Sequence, residues 1–462
     1  MMKPTLNSLS GKRLHFIGIG GAGMSGLARI ALSHSIIVTG SDAKDSSVLR
    51  ALIALGAKIS TTHSAENVDG ADYVVYSNAI SANNSEILRA HELGINVLTR
   101  ARALAILMSD SKSIAVAGTH GKTTTSSMMA VALQSCGADP SFAIGGTITA
   151  SGSNAHRGTG EIFVAEADES DGSFLEYHPF AAIITNIEHD HVDFFSTPES
   201  VKKAFKDFAE TINREGFLTY CADDPGAAEL ISQLEQPSFI SYGVQEGCDL
   251  RLDSIELLAM GSRARAIWRG KSIGFIELEV PGQHNLLNAA AVLATGLQLG
   301  FNAADLIQGL AVFRGTGRRF EIKGTVHGVR VIDDYGHHPT EIDVTLQAAR
   351  RFAGDGRLIV VFQPHRYSRT IAFADGFARS LSLADRAIVL EIYPASEKPI
   401  PGVTSQLITD LMAKGEYIPN FIEVTDSVID SAEPGDVIIT LGAGDVSSLA
   451  PIIVDGLIRR FG

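Results

Sequence analysis

Apolar runs of strand length alternate with helical segments along most of the chain. Among the first hundred residues, the strands that this pattern predicts are Arg13–Ile19, Ile36–Gly40, Asp72–Ser77 and Ile95–Leu98. Between them, Met24–Ser33 and Ser46–Leu55 repeat apolar residues at helical spacing. Strands and helices that alternate in this way predict a mostly parallel sheet with helices on both faces.

The same alternation resumes twice further along the chain. The later predicted strands include Ile162–Glu166, Ala181–Ile187, Gly216–Cys221, Val329–Asp333, Leu358–Phe362, Ala387–Glu391 and Val437–Leu441, with helices at Ser200–Ile212, Asn285–Leu299 and Asn302–Leu310. Short alternating runs between Cys248 and Glu279 predict an antiparallel addition instead. We therefore expect three α/β domains in series, at residues 1–107, 108–314 and 315–462.

A phosphate-binding loop is predicted where the first strand of the second domain ends. The apolar run from Ser113 breaks at Gly118, and Gly121-Lys122-Thr123 then opens a helix. Backbone N–H groups at such a helix start bind phosphates, while the lysine contacts the β/γ-phosphates and the hydroxyl holds Mg²⁺. The usual pattern has an earlier glycine where this chain has Val116, so an ordinary strand-to-helix turn is the alternative. The candidate triphosphate-binding residues are Gly118, Thr119, His120, Gly121, Lys122, Thr123 and Thr124.

An earlier glycine-rich loop follows the first predicted strand. Its G-x-G-x-x-G pattern precedes a helix, and an acid, Asp42, ends the next strand. This arrangement is typical of dinucleotide sites and by itself favours NAD. The physical requirement is only a pyrophosphate at a helix N-terminus, which a nucleotide sugar also carries. The candidate ligand-binding residues are Gly18, Gly20, Gly21, Gly23, Met24 and Asp42.

Two further loops of the middle domain carry acids and histidines directly after predicted strands. Glu166 begins an acidic run at a strand end, where carboxylates face the ligand crevice of a parallel sheet. It is a candidate Mg²⁺ ligand, because Mg²⁺ prefers carboxylate and phosphate oxygens. His189 and His191, with Asp190 between them, indicate a metal-binding or catalytic loop. Zinc is an alternative for a His-x-His pair, but no further cysteine or histidine pattern supports a closed zinc site.

The last domain contributes a third set of candidate residues. Asp334-Tyr-Gly-His-His-Pro339 follows a predicted strand, and so does the loop that contains Arg366 and Arg369. Guanidinium groups bind carboxylates through two hydrogen bonds, so the two arginines of this loop indicate a carboxylate-binding pocket. Arg314, Arg318 and Arg319 at the domain junction either reach the phosphates or form a basic linker.

Composition narrows the class of protein. The chain has 462 residues with 45% hydrophobic and 19% charged residues, as expected for a globular protein with ample core. A net charge of −14 argues against non-specific nucleic-acid binding. The widely spaced Cys136, Cys221 and Cys248 form no metal motif and predict reduced thiols. With no apolar run of membrane-spanning length, we expect a cytoplasmic protein that binds no membrane.

Taken together, the motifs resemble those of the Mur ligases of peptidoglycan synthesis over essentially the whole chain. The segments that carry the resemblance are His15–Gly26, Gly118–Thr125, Glu166–Asp171, Asn186–His191, Gly282–Asn288, Asp334–Pro339 and Gln363–Arg369. The resemblance implies three domains: an N-terminal Rossmann-like domain, a central P-loop-type domain with a mostly parallel sheet and a small antiparallel addition, and a C-terminal Rossmann-like domain. The first loop follows the alanine-adding type, which implies that the substrates are UDP-N-acetylmuramate, ATP and L-alanine and that Mg²⁺ is required.

The resemblance also implies residue roles. Lys122 would stabilise the transferred phosphoryl group, and Thr123 with Glu166 would hold one Mg²⁺. His191 with Glu166 would hold a second ion. The contacts to ATP would come from Asn288, Arg319 and Asp334, and the alanine pocket would consist of Tyr335, His337, Arg366 and Arg369. The carbamylated lysine that several relatives use has no counterpart near Glu166, so His191 and His337 are both candidates for the base that deprotonates the amine. A monomer and a homodimer both remain open.

Two other classes of protein are alternative hypotheses. An NAD-dependent dehydrogenase would explain the first glycine loop but not the Gly-Lys-Thr loop, and absence of nicotinamide binding would exclude it. A non-catalytic nucleotide-binding regulator would not need the lysine, carboxylate and histidine set. ATP turnover that depends on L-alanine would exclude a regulator.

Overall fold

The first sheet has the strand order β3-β2-β1-β4-β5 with parallel pairing throughout. The structure is a computed structural model that describes residues 5–235 and 238–462. The elements of the first part are β1 (Arg13–Ile17), α1 (Ala22–Ser33), β2 (Ile37–Ser41), α2 (Ser47–Ala54), β3 (Lys58–Ser60), β4 (Tyr73–Tyr76), α3 (Ser85–Glu92), β5 (Asn96–Thr99) and α4 (Arg100–Leu107). The chain direction across the sheet reverses beside β1, so the loop after β1 opens into the crevice where ligands of such sheets bind.

The second sheet has the order β15-β14-β13-β12-β11-β10-β6-β9-β7-β8. Its elements are β6 (Lys112–Ala117), α5 (Lys122–Ser135), β7 (Ser141–Ile148), β8 (Ser153–His156), β9 (Ile162–Glu166), β10 (Ala181–Ile184), α6 (Pro198–Ala209), β11 (Phe217–Cys221), α7 (Pro225–Ile231), β12 (Ser238–Gly243), β13 (Leu250–Leu257), β14 (Ser262–Trp268), β15 (Lys271–Leu278), α8 (Gln283–Gln298) and α9 (Ala303–Ala311). Neighbouring strands pair in parallel along the order β13-β12-β11-β10-β6-β9-β7, while the β7–β8, β13–β14 and β14–β15 pairs are antiparallel. The phosphate-loop strand β6 therefore lies in the middle of the parallel part.

The third sheet has the order β16-β17-β21-β18-β19-β20 and is parallel except for the β16–β17 pair. Its elements are β16 (Glu321–Val326), β17 (Val329–Asp334), α10 (Pro339–Ala353), β18 (Leu358–Phe362), α11 (Tyr367–Leu381), β19 (Arg386–Val389), α12 (Gln406–Thr409), β20 (Gly415–Tyr417), α13 (Phe421–Ser431), β21 (Val437–Leu441) and α14 (Leu449–Phe461). Every residue of β18 and of β21 is buried, because helices cover both faces of the sheet.

The predicted fold class is confirmed: three α/β sheets follow one another, and the middle sheet carries the antiparallel addition. The antiparallel strands extend the central sheet directly, since β12 pairs with β13. The predicted strand Ala181–Ile187 is too long, because β10 ends at Ile184 and the remaining residues form the loop beyond it. No helix among residues 5–235 and 238–462 is long and apolar enough to cross a membrane.

The first domain contains a buried polar cluster around Glu86 on α3. Its carboxylate accepts hydrogen bonds from Ser41 Oγ at 2.7 Å and Asn67 Nδ2 at 2.6 Å, and His63 Nδ1 lies 3.1 Å away. His15 Nε2 on β1 lies 3.6 Å from the same carboxylate. Although burial opposes ionisation, the contact with His15 and the hydrogen bond from Asn67 in particular lower the pKa of Glu86 to about 2.

We expect Glu86→Gln to lower the free energy of unfolding at neutral pH by about 2 kcal/mol, because the charged acceptor is lost from a buried network. The pKa of Glu86 falls from 4.5 to about 2 on folding, so its contribution is complete above the unfolded value and is lost as the pH falls through the folded one. Urea unfolding followed by circular dichroism should therefore show a wild-type advantage that shrinks between these two pH values. An advantage that is constant over this range would contradict the linkage.

Candidate functional site

The phosphate-loop lysine is held by backbone carbonyls and one buried carboxylate. Lys122 Nζ donates hydrogen bonds to the carbonyl oxygens of Gly118 at 2.6 Å and Thr119 at 3.1 Å. It also lies 2.8 Å from a carboxylate oxygen of Glu169, whose side chain is 2% exposed. Although burial opposes the charge, Glu169 and Asp168 raise the pKa of Lys122. The lysine therefore stays cationic at the start of α5, where the helix dipole also favours an anion.

Gly121 precedes α5 in the left-handed region, with φ of 84°. A Cβ atom at this position would lie 2.8 Å from Asn288 Oδ1 on α8. The loop can therefore pass this closely beneath α8 only with glycine at this position.

We expect Gly121→Ala to weaken ATP binding at least tenfold, because the left-handed backbone costs about 1–2 kcal/mol for alanine and the new methyl group displaces Asn288. Isothermal titration with a non-hydrolysable ATP analogue measures the loss. Gly137→Ala is the matched control, since Gly137 has φ of 73° but no atom within 4 Å of its Cβ position. Equal effects of the two substitutions on binding would contradict a specific role of Gly121.

A hydroxyl and a carboxylate lie side by side near the lysine and are both oxygen donors. Thr123 Oγ1 donates a 2.8 Å hydrogen bond to Glu166 Oε1, and the backbone N–H of Gly145 donates to Oε2 at 2.6 Å. Burial raises the pKa of Glu166, so a nearby cation would stabilise its ionised form. An oxygen-only set with one carboxylate fits Mg²⁺, which takes its other ligands from water and phosphate.

His191 lies on the loop beyond β10 and faces the same acidic group. Its Nε2 is 3.4 Å from Glu169 Oε1 and 3.8 Å from Asp190 Oδ2. The backbone of His191 itself is in the left-handed region, with φ of 52°. Glu169 thus stands between His191 and Lys122 and contacts both.

A cavity of about 170 Å³ lies between the central and the C-terminal domain. Its lining includes three of the predicted ATP contacts, Asn288, Arg319 and Asp334, together with Thr124. Arg319 Nη1 lies 3.2 Å from Glu341 Oε1. Burial raises the pKa of Asp334 to about 6, while its carboxylate accepts hydrogen bonds from the backbone N–H groups of Phe320 at 2.7 Å and Gly336 at 2.8 Å.

The predicted carboxylate pocket lies where α11 faces the loop beyond β10. Arg369 Nε and Nη2 donate to Asp190 Oδ1 at 2.9 and 2.8 Å, and both side chains are buried. Arg366 donates one hydrogen bond, from Nη1 to Asp193 Oδ2, and both of these side chains are partly exposed. Carboxylates of the central domain therefore occupy both guanidinium groups in this structure.

The two aromatic residues of this pocket are fixed by their neighbours. His337 Nδ1 lies 3.1 Å from the carbonyl oxygen of Tyr335, and burial lowers the pKa of His337 to about 3. The imidazole is therefore neutral, and its other nitrogen can accept a proton or a hydrogen bond. The Tyr335 ring packs against the guanidinium groups of Arg318 and Arg319, with centroid distances of 4.9 and 5.1 Å.

The first glycine loop is held by a hydrogen bond to Asp42, the acid that follows the second strand. The backbone N–H of Gly20 donates a 2.9 Å hydrogen bond to Asp42 Oδ2. The predicted role of Asp42 in ligand binding stays a prediction, but its carboxylate already orders the loop. Gly23 faces Arg100, whose Nη1 would lie 3.0 Å from an added Cβ atom, and Met24 is buried. Gly18 has φ of 72°, and the N–H of Gly21 donates to its carbonyl oxygen at 3.1 Å.

Three family descriptions match consecutive parts of the chain. Residues 13–112 match the Mur ligase family catalytic domain, residues 116–296 the Mur ligase middle domain, and residues 318–444 the Mur ligase glutamate ligase domain. The chain belongs to the Mur ligase family.

Individual members of the Mur ligase family are similar over nearly the whole length. The UDP-N-acetylmuramate–L-alanine ligase of Renibacterium salmoninarum is 49% identical, over 99% of this chain and 98% of the relative. The crystal structure of the UDP-N-acetylmuramate–alanine ligase of Thermotoga maritima is 29% identical with a TM-score of 0.81, covering 97% of this chain and 99% of that one. A murein peptide ligase from Psychrobacter arcticus is 25% identical with a TM-score of 0.72, with the same coverage of 97% and 99%.

Three carboxylates of the candidate site are not among the site residues that the sequence predicts. Glu169 contacts Lys122, and Glu188 and Glu341 lie 3.3 and 3.6 Å from the two ring nitrogens of His120. Glu169 and Glu188 lie within motifs that the sequence shows, and Glu341 follows one, but nothing in those motifs distinguishes these acids from their neighbours. Their roles depend on contacts between distant parts of the chain.

Proposed function

We propose that this chain joins L-alanine to the lactyl carboxylate of UDP-N-acetylmuramate and converts ATP to ADP and phosphate. The observation that carries the proposal is the similarity over nearly the full length to UDP-N-acetylmuramate–L-alanine ligases, for example at 49% identity to that of Renibacterium salmoninarum. The lysine, hydroxyl and carboxylate at the start of α5 supply the chemistry that such a ligase needs. The product is a precursor of peptidoglycan.

Each of the three domains binds one of the substrates. Residues 1–107 hold the nucleotide sugar through the first glycine loop, and residues 108–314 hold the phosphates of ATP. Residues 315–462 bring L-alanine, with Tyr335, His337, Arg366 and Arg369 as its pocket. The cavity between the second and third domains accommodates the remainder of ATP beside Asn288.

In the first step the lactyl carboxylate attacks the γ-phosphorus of ATP. A bond forms between the carboxylate oxygen and phosphorus, the bond to the bridging oxygen breaks, and ADP leaves. Lys122 stabilises the charge on the phosphoryl oxygens, because its ammonium group is fixed by Gly118 and Glu169 before the substrate arrives. Thr123 and Glu166 would hold Mg²⁺, which supplies charge neutralisation to the phosphates when it is bound.

In the second step the amine of L-alanine attacks the acyl carbon of the acyl phosphate. A carbon–nitrogen bond forms, the tetrahedral intermediate collapses, and phosphate leaves with the former carboxylate oxygen. The amine must lose a proton to a neighbouring base. His191 is the candidate that we favour for this role, because its Nε2 lies beside the phosphate-loop acid Glu169, at 3.4 Å from Oε1. The low pKa of His337 makes it a weak base and suits it to orient the amine.

Product analysis with UDP-N-acetylmuramate, ATP and a panel of amino acids tests the proposal. L-Alanine should give one new amide and one equivalent of phosphate, and glycine and L-serine should give less. The panel includes an alanine-initiated peptide, because peptide-adding ligases share this fold. Ligation of the peptide in preference to L-alanine would overturn the assignment of the amino-acid substrate while leaving the family unchanged.

A further inference from the structure

Two histidines and a glutamate from separate segments meet where the central and C-terminal domains face each other. His120 belongs to the phosphate loop, Glu188 to the loop beyond β10, and His338 to the start of α10. One ligand atom from each lies within 4.8 Å of those from the other two. In the described part of the chain, this is the one group of at least three histidine, cysteine or acidic residues with that spacing. We call these residues the interdomain cluster.

The spacing within the interdomain cluster suits a small cation with nitrogen ligands. His120 Nε2 lies 3.3 Å from Glu188 Oε2, and His338 Nδ1 lies 3.7 Å from the same oxygen. Tetrahedral zinc with bonds of about 2.0–2.2 Å holds its ligand atoms roughly 3.3–3.5 Å apart. The separations of the two histidines from Glu188 are therefore close to those in a tetrahedral zinc site.

The hydrogen-bonding capacity of His338 is largely unused. The side chain is buried, and Nε2 has no hydrogen-bond partner among residues 5–235 and 238–462. Nδ1 accepts one long hydrogen bond of 3.4 Å, from the backbone N–H of Thr340. Buried polar atoms are normally satisfied, so the Nε2 atom, which has no partner among the described residues, is an available metal ligand.

The surroundings of the interdomain cluster already favour a positive charge. Glu341 Oε1 lies 3.6 Å from His120 Nδ1, on the side of the ring opposite Glu188. Two carboxylates therefore face this imidazole from opposite sides, and their negative charge would favour a bound cation.

We propose that His120, Glu188 and His338 form a binding site for zinc or a similar divalent transition metal, and that the bound ion clamps the central and C-terminal domains together. Two imidazoles and one carboxylate suit zinc, whereas Mg²⁺ prefers oxygen ligands such as Thr123 and Glu166. His120 and Glu188 also line the cavity between the domains, so the bound ion would hinder nucleotide entry. The site does not depend on which substrates the enzyme joins.

Isothermal titration of the nucleotide-free full chain with zinc chloride, in excess Mg²⁺, tests the proposal. His338→Asn is the main variant, because asparagine keeps the capping of α10 and removes the imidazole. Glu188→Gln removes the carboxylate. We expect one zinc site per chain in the wild type and at least about tenfold weaker binding in each variant.

His156→Gln is the matched control, because His156 is exposed and pairs with Asp139 outside the interdomain cluster. This control should bind zinc as the wild type does. Thermal melting without zinc checks that each variant is folded, and small-angle scattering should show a more compact wild-type chain with zinc than without. Wild-type zinc affinity in both His338→Asn and Glu188→Gln, or no zinc binding by the wild type, would overturn the proposal.

Discussion

Replacing Lys122 with alanine is expected to reduce the rate of phosphate release at least about 1000-fold when UDP-N-acetylmuramate, ATP and L-alanine are all present. The ammonium group lies at the N-terminus of α5 and is fixed by two carbonyl oxygens and Glu169. Charge spread over a transferring phosphoryl group is stabilised by such a fixed cation far more than by water. Initial rates of phosphate release, with each substrate varied in turn, measure the effect.

The control for this prediction must separate catalysis from folding. Lys122→Ala leaves Glu169 buried without its cation, and an unpaired buried charge destabilises a protein. The double variant Lys122→Ala with Glu169→Gln removes that penalty, so it should regain the wild-type melting temperature but not the activity. Near-normal phosphate release by Lys122→Ala would show that the proposed phosphoryl-transfer mechanism is wrong.

Much of the fold follows from the sequence because buried parallel strands are long, apolar runs. The predicted limits of two central strands, Leu358–Phe362 and Val437–Leu441, coincide with those of β18 and β21. The short strands β3 and β20 have only partly buried or exposed residues, so their sequences show no such run. The β7–β8 hairpin was also missed, because β8 contains the polar residues Ser153, Asn154 and His156.

Local features of the candidate site could also be predicted from the sequence, whereas contacts between distant residues could not. The glycine loops were recognisable because their chemistry is local: a few consecutive residues form the turn, the helix start and the phosphate-binding groups. The contacts between Lys122 and Glu169, and those of His120 with Glu188 and Glu341, join residues that are far apart in the chain. Only the packing of the sheets determines which acid reaches which cation, and a single sequence does not contain that information.

The ion pair between Arg369 and Asp190 bears directly on whether Arg369 binds the carboxylate of L-alanine. Although burial opposes ionisation, Arg369 lowers the pKa of Asp190 well below its usual range, so the pair is ionic at any working pH. The alanine carboxylate would need the guanidinium group that Asp190 now holds. Arg369 is thus either a direct ligand of L-alanine, for which Asp190 competes, or a residue that only draws the two domains together.

We expect Arg369→Ala to raise the KM for L-alanine by about 10- to 100-fold, because charge-assisted hydrogen bonds contribute about 1.5–3 kcal/mol. The companion variant Asp190→Asn should leave this KM unchanged or lower it, since Arg369 is then released to the substrate. Arg366→Ala should have a smaller effect, because its side chain is 30% exposed and its charge is better screened. Steady-state kinetics at saturating ATP and nucleotide sugar provides these values. If Asp190→Asn raised the KM as much as Arg369→Ala does, Arg369 would be a positioning residue for domain closure, and the carboxylate of L-alanine would bind elsewhere.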